Sequence, residues 1–125
     1  MGAAAGVVET MKQSPIFTRT YDLIRWLIPM TVKFPRTQRF VLAAGVQRTA
    51  LRFQEQLIEA AYDAEPLPKL KQADVTLTKL RFYLRLCRDL ELMSLGQYAH
   101  VSKLVGEVGR LLGGWQKKHT ETPQP

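Results

Sequence analysis

The chain holds a single cysteine, Cys87, which excludes an internal disulfide framework and fits a reducing compartment. Histidine is almost as scarce, with only His100 and His119. Metal sites in helical bundles place Glu-x-x-His on inward faces, and the residue three places before His100 is Gln97. No metal and no cofactor are expected. A glycine-rich phosphate loop is also missing: Gly106, Gly109, Gly113 and Gly114 fall within a helical pattern, where glycine more often permits close helix contact. The longest apolar runs, such as Phe40 to Val46, are far too short to span a bilayer. The opening MGAAAGVVETMKQSP lacks both the basic start and the apolar stretch of a signal peptide. These absences predict a soluble, cytoplasmic chain with no membrane partner. Cys87 falls on an apolar helical line, where a thiol is inert packing rather than a nucleophile. No catalytic residue is nominated, and the chain is not expected to be an enzyme.

Acid is in short supply too. Lys and Arg number 18 against 11 Asp and Glu, which gives a net charge of +7 and a pI near 9.9. Such an excess favours polyanionic partners such as nucleic acid, an anionic membrane or an acidic protein face, or serves solubility alone. At 125 residues, with 46% apolar and 23% charged side chains, the chain suits one soluble domain with one core.

What is present reads at helical period. Residues 1–15 and 119–125 are expected to be disordered tails around a bundle over 16–118. In the first helix Phe17, Tyr21, Ile24 and Ile28 form one apolar stripe, and Leu23, Leu27, Met30 and Phe34 form another. Pro29 predicts a kink, and Phe34-Pro35 an end. The second helix is expected from an N-cap at Thr37 to Tyr62, with Phe40, Ala43, Ala44, Leu51, Leu57, Ile58 and Ala61 inward. Leu42, Val46 and Phe53 lie off that face, and a spare apolar line predicts an oligomer interface.

Pro68 suits the start of the third helix. There Leu70, Ala73, Leu77, Leu80, Leu84 and Cys87 are spaced 3, 4, 3, 4 and 3, and the helix should end near Met93. Ser94 and Gln97 fit a capping box. Tyr98, Val101, Val105, Val108, Leu112 and Trp115 then make the fourth seam, with Gly113-Gly114 as its C-terminal cap region. No strand pattern competes. The predicted class is all-α, an antiparallel up-down-up-down four-helix bundle.

The basic residues are grouped. Arg81, Arg85 and Arg88, spaced 4 and 3, share one face of the third helix. Lys33, Arg36 and Arg39 surround the first connection. Antiparallel packing brings the start of helix two and the end of helix three to the same end. Arg36 and Arg39 also sit at a helix N-terminus, which already carries partial positive charge and would welcome an anion. These six residues are the candidate nucleic-acid and partner contacts. From pattern alone a solvated charged face explains Arg81, Arg85 and Arg88 equally well. Arg48, Arg52, Glu55 and Glu59 fit local ion pairing, as do Lys103, Glu107 and Arg110.

Three runs carry a family resemblance: Phe34-Pro-Arg-Thr-Gln-Arg-Phe40, Leu80-Arg-Phe-Tyr-Leu-Arg-Leu86 and Val108-Gly-Arg-Leu-Leu-Gly-Gly-Trp115. In this order, over about Tyr21 to Trp115, the chain resembles the accessory variability determinant (Avd) proteins of diversity-generating retroelements. The four-helix proteins encoded in ribosomal-RNA intervening sequences are similar in fold and make the nearest competitor; they would imply an interaction module without nucleic-acid function. The Avd resemblance implies a basic, barrel-like homo-oligomer, a homopentamer. It would bind the cognate reverse transcriptase together with template RNA and cDNA or DNA, and would be required for mutagenic cDNA synthesis without being the polymerase.

Overall fold

The computed structural model describes Glu9, Met11 and residues 14–120. The first helix, α1 (Pro15–Val32), buries Ile16, Thr20, Leu23, Leu27 and Thr31, spaced 4, 3, 4 and 4. Two of these five are threonines, which hydropathy alone does not assign to a core. Thr31 is accommodated because its hydroxyl donates to the Leu27 carbonyl at 2.9 Å and accepts from Gln47 Nε2 at 2.9 Å. Pro29 is exposed within α1 and does not end it. Phe34 is buried as the chain leaves the helix.

The second helical stretch departs from expectation at its start. Pro35, not Thr37, stands at the N-cap of a helical turn over Arg36–Gln38. A π-helical segment, Arg39–Ala43, follows and runs directly into α2 (Ala44–Ala61). A π turn takes in one residue more than an α turn, and so shifts the register of everything before it. Phe40, expected inward, is 83% exposed. Leu42, Val46 and Phe53, expected as a surface interface, are 5%, 0% and 1% exposed and form the core. With Ala50, Leu57 and Ala60 they make the true inward line. The expected interface is therefore corrected: these three side chains are held inside their own bundle. Leu51 and Ile58 are the residues left outside.

Asp63 closes the next turn, accepting from the Glu65 amide at 2.9 Å and from Lys69 Nζ at 3.1 Å. The third helix, α3 (Leu67–Asp89), buries Leu70, Ala73, Leu77, Leu80, Leu84 and Cys87 as its spacing predicts. It stops at Asp89 rather than near Met93, because Glu91 takes a left-handed φ of 59°. The Glu91 amide then donates to Arg88 O, and the Leu92 amide to Cys87 O. This is the Schellman closure of a helix C-terminus.

The capping box forms as expected: the Ser94 amide donates to Gln97 Oε1 at 2.8 Å, and the Gln97 amide to Ser94 Oγ at 3.0 Å. The fourth helix, α4 (Leu95–Thr120), buries Val101, Val105, Val108 and Leu112. Gly113 and Gly114 do not cap it; the helix passes through both and runs six residues beyond Gly114. Lys117, Lys118 and His119 in its last turn suit the partial negative charge there.

Cross-helix pairs fix the topology. Trp115 meets Phe17 at 6.2 Å between ring centroids, while His100 meets Trp26 at 5.3 Å, so α4 runs antiparallel to α1. Asp74 accepts from Gln116 and Arg88 lies over Tyr98, so α4 also runs antiparallel to α3. The main packing runs α1–α2–α3–α4 and back to α1. The described residues contain no strand. An up-down-up-down four-helix bundle results.

Two stability changes follow. Glu91→Gly, which removes a side chain from a left-handed residue, should stabilise by about 1 kcal/mol in urea unfolding. Gly113 and Gly114 are exposed and a Cβ at either meets nothing within 4 Å. Each Gly→Ala change there should add about 1 kcal/mol by relieving helix-interior entropy.

Candidate nucleic-acid and partner interface

All six nominated cations lie on the bundle surface, and the antiparallel topology brings Lys33, Arg36 and Arg39 to the end where α3 finishes. Their local roles differ. Lys33 caps α1, and Arg36 opens the following helical turn. Arg39 begins the π segment, and its Nε donates to the Phe34 carbonyl at 3.0 Å. That bond satisfies a carbonyl in the connection between α1 and the next helical turn. Beside Arg39 the π segment turns Phe40 and Val41 to solvent. An aromatic ring among cations is the arrangement that stacks an unpaired base while its phosphates are neutralised.

The Arg81, Arg85 and Arg88 stripe is divided. Arg88 donates through Nε and Nη2 to Asp89 Oδ1 at 3.0 and 2.8 Å, and its guanidinium stands 4.8 Å from the Tyr98 ring centroid. The bond to Asp89 raises the Arg88 pKa, so the residue stays charged while tying the end of α3 to the start of α4. Arg85 Nε is 4.0 Å from the same carboxylate. Asp89 thus offsets part of the charge of both arginines. Arg81 leans the other way and lays its guanidinium over Gly109 of α4, where a Cβ would obstruct it. Lys33, Arg36 and Arg81 have no ion-pair partner among the described residues. With Arg39, whose side chain donates to a neutral carbonyl, they are the uncompensated cations of the six.

Sequence reasoning missed two components. Asp89 was legible, since it stands four residues after Arg85. The exposure of Phe40 was not, because it depends on the π segment. Elsewhere, Arg52 engages Glu59 at 2.8 Å and Glu55 at 3.5 Å, as its spacing suggested. Glu107 pairs instead with Arg19 of α1 at 3.6 Å.

Cys87 is fully buried, and burial pushes its thiol pKa from 9.0 to about 11. Among the described residues no group of three or more His, Cys, Asp or Glu side chains gathers as a metal site, and no helix is long and apolar enough to cross a membrane.

A protein-family model described as bAvd-like matches residues 15–119, which take in all four helices and their connections. No curated protein matches the chain.

The Cys87 shift has a signed consequence. Its folded pKa is raised, so the stabilisation is complete below pH 9.0 and is lost as pH climbs toward about 11, where only the unfolded thiol ionises early. Urea midpoints should fall over that interval, and Cys87→Ala should flatten that part of the profile whatever its effect at neutral pH.

Proposed function

Because the chain belongs to the bAvd-like family, we propose that it is a basic accessory scaffold of a diversity-generating retroelement. In this reading it holds the element's reverse transcriptase together with template RNA and the growing cDNA, in the cytoplasm, and enables mutagenic copying without catalysing it. The scaffold is a ring-like homo-oligomer, a pentamer by resemblance to the family.

The observation that carries the reading is the composition of one bundle end. Lys33, Arg36 and Arg39 lack acidic partners there among the described residues, and Phe40 is 83% exposed. Arg81 and Arg85 extend the positive surface along α3, roughly 5 to 10 Å from Arg88 at the helical rise. Phosphate contacts by such residues position a nucleic acid without reading its sequence. Exposed arginine and aromatic side chains are also the groups that dominate protein contacts when a partner desolvates them. Arg88 belongs to the same surface but acts mainly by fixing the α3–α4 corner.

The test is a pull-down at moderate salt of the reverse transcriptase encoded beside this chain, with and without template RNA. Wild type should retain both. Lys33→Glu, Arg36→Glu and Arg81→Glu combined should lose RNA and weaken polymerase capture while keeping its helical circular dichroism. A folded triple variant that binds as wild type would overturn the assignment of these residues. A wild-type protein that captures neither would overturn the accessory role and leave an interaction module of the intervening-sequence kind.

A further inference from the structure

Beyond its buried line, each of α2 and α3 carries a second line on the outside of the bundle. On α2 it is Leu51, Glu55, Ile58 and Tyr62; on α3 it is Val75, Lys79, Phe82 and Leu86. Both are spaced 4, 3, 4, which keeps each set on one side of its helix. All eight residues are exposed, and Phe82 is 67% so. Single exposed apolar residues are ordinary, but six of them at helical period on two adjacent helices form a surface of the kind that proteins cover. Along the α3 line lies an open groove of about 930 Å³, lined by the apolar side chains of Phe82, Tyr83 and Leu86 and by Lys79, Arg85 and Asp89.

The two lines also differ in charge. The α3 line contains Lys79, which has no ion-pair partner among the described residues; beside it Arg85 is 4.0 Å from Asp89, which lines the same groove. The α2 line contains Glu55 and is flanked by Glu59, both reached by Arg52 from the side. Packing α3 on α3 of another copy would set Lys79 against its own kind. Packing α3 on α2 sets Lys79 against Glu55 and Glu59 and matches apolar residues at equal intervals. Like charges brought together at an interface penalise the wrong register, and opposite charges select the right one.

We propose that the occupant of this face is a second copy of the chain, with the Leu51–Glu55–Ile58–Tyr62 line of one protomer packed on the Val75–Lys79–Phe82–Leu86 line of another. The proposal rests on the self-association that is part of the function proposed above, and it names the surface that would carry it.

The experiment uses the full chain with Leu51→Cys or Phe82→Cys. Native Cys87 is fully buried and cannot confuse the result. Light scattering of wild type comes first, then mild oxidation of each variant alone and of the two mixed. An oligomeric wild type, with cross-linked dimers only in the mixture, is the expected result. Cross-linking within either variant alone, or none in the mixture, would overturn this interface while leaving self-association standing. A wild type that is monomeric across micromolar concentrations would overturn self-association itself. Phe82→Asp gives an independent reading: its side chain is outside the core, so the thermal midpoint of the dissociated protomer should hold while the dissociation constant rises at least about tenfold. An unchanged mass distribution in that variant would count against the proposal.

Discussion

The helices α2 and α3 each carry more apolar residues than one face can hide, and the choice of which line goes inward governs everything outside. On α3 the choice is forced. Leu70, Leu77, Leu80 and Leu84 are all but completely buried, with Ala73 and Cys87 filling the places where neighbouring helices come close. Fully burying a leucine is favourable by roughly 1.5–3 kcal/mol, so rotating α3 to submerge Val75, Phe82 and Leu86 instead would forfeit the larger sum. That seam then orients its neighbours. Tyr83 of α3 lies directly over Gly45 of α2, where an added Cβ would stand 2.9 Å from the ring. The close approach fixes the rotation of α2 about its axis and places Phe53 and Leu57 in the core.

The π segment reconciles this packing with a surface suited to partners. Between Arg36 and Ala43 the chain must start a helix, satisfy the Phe34 carbonyl through Arg39, and still bury Leu42 and Ala43. A regular α-helix presents one phase. The extra residue in the π turn allows the cations and Phe40 to keep an outward phase while the residues after them point in. Such turns recur at functional sites, and here the turn sits among Lys33, Arg36 and Arg39. Charge follows the same division. Ion pairs knit the flanks, as with Arg19 and Glu107 or Lys69 and Asp63, and Lys33, Arg36 and Arg81 are left without acids. A shortage of acidic residues makes that outcome unavoidable somewhere.

Much of this was legible beforehand. The α3 seam, the capping box at Ser94 and Gln97, and the antiparallel order follow from spacing and turn chemistry that act locally. The face of α2 did not follow, for a physical reason. Leu51 and Ile58 outweigh Ala50 and Ala60 on any hydropathy scale, yet the smaller residues suit a close helix contact. Thr31 in α1 shows the same limit, since a threonine can return its hydroxyl to the preceding turn and be buried, as this one does. The candidate site was legible as a list of cations but not as a constellation. Asp89 and Tyr98 draw Arg88 into the fold, and only geometry separates it from Arg36. The family resemblance carried by the three sequence runs agrees with the match over residues 15–119.

The proposed accessory role requires the basic surface to bind nucleic acid through phosphates and without sequence readout. Its most direct test is the affinity of the wild-type chain for single-stranded template RNA, measured across salt concentration. With three to six phosphates neutralised, log affinity should fall against log salt with a slope between about −2 and −4, and a scrambled RNA of equal length should give the same line. A slope near zero, or binding confined to one sequence, would contradict the account.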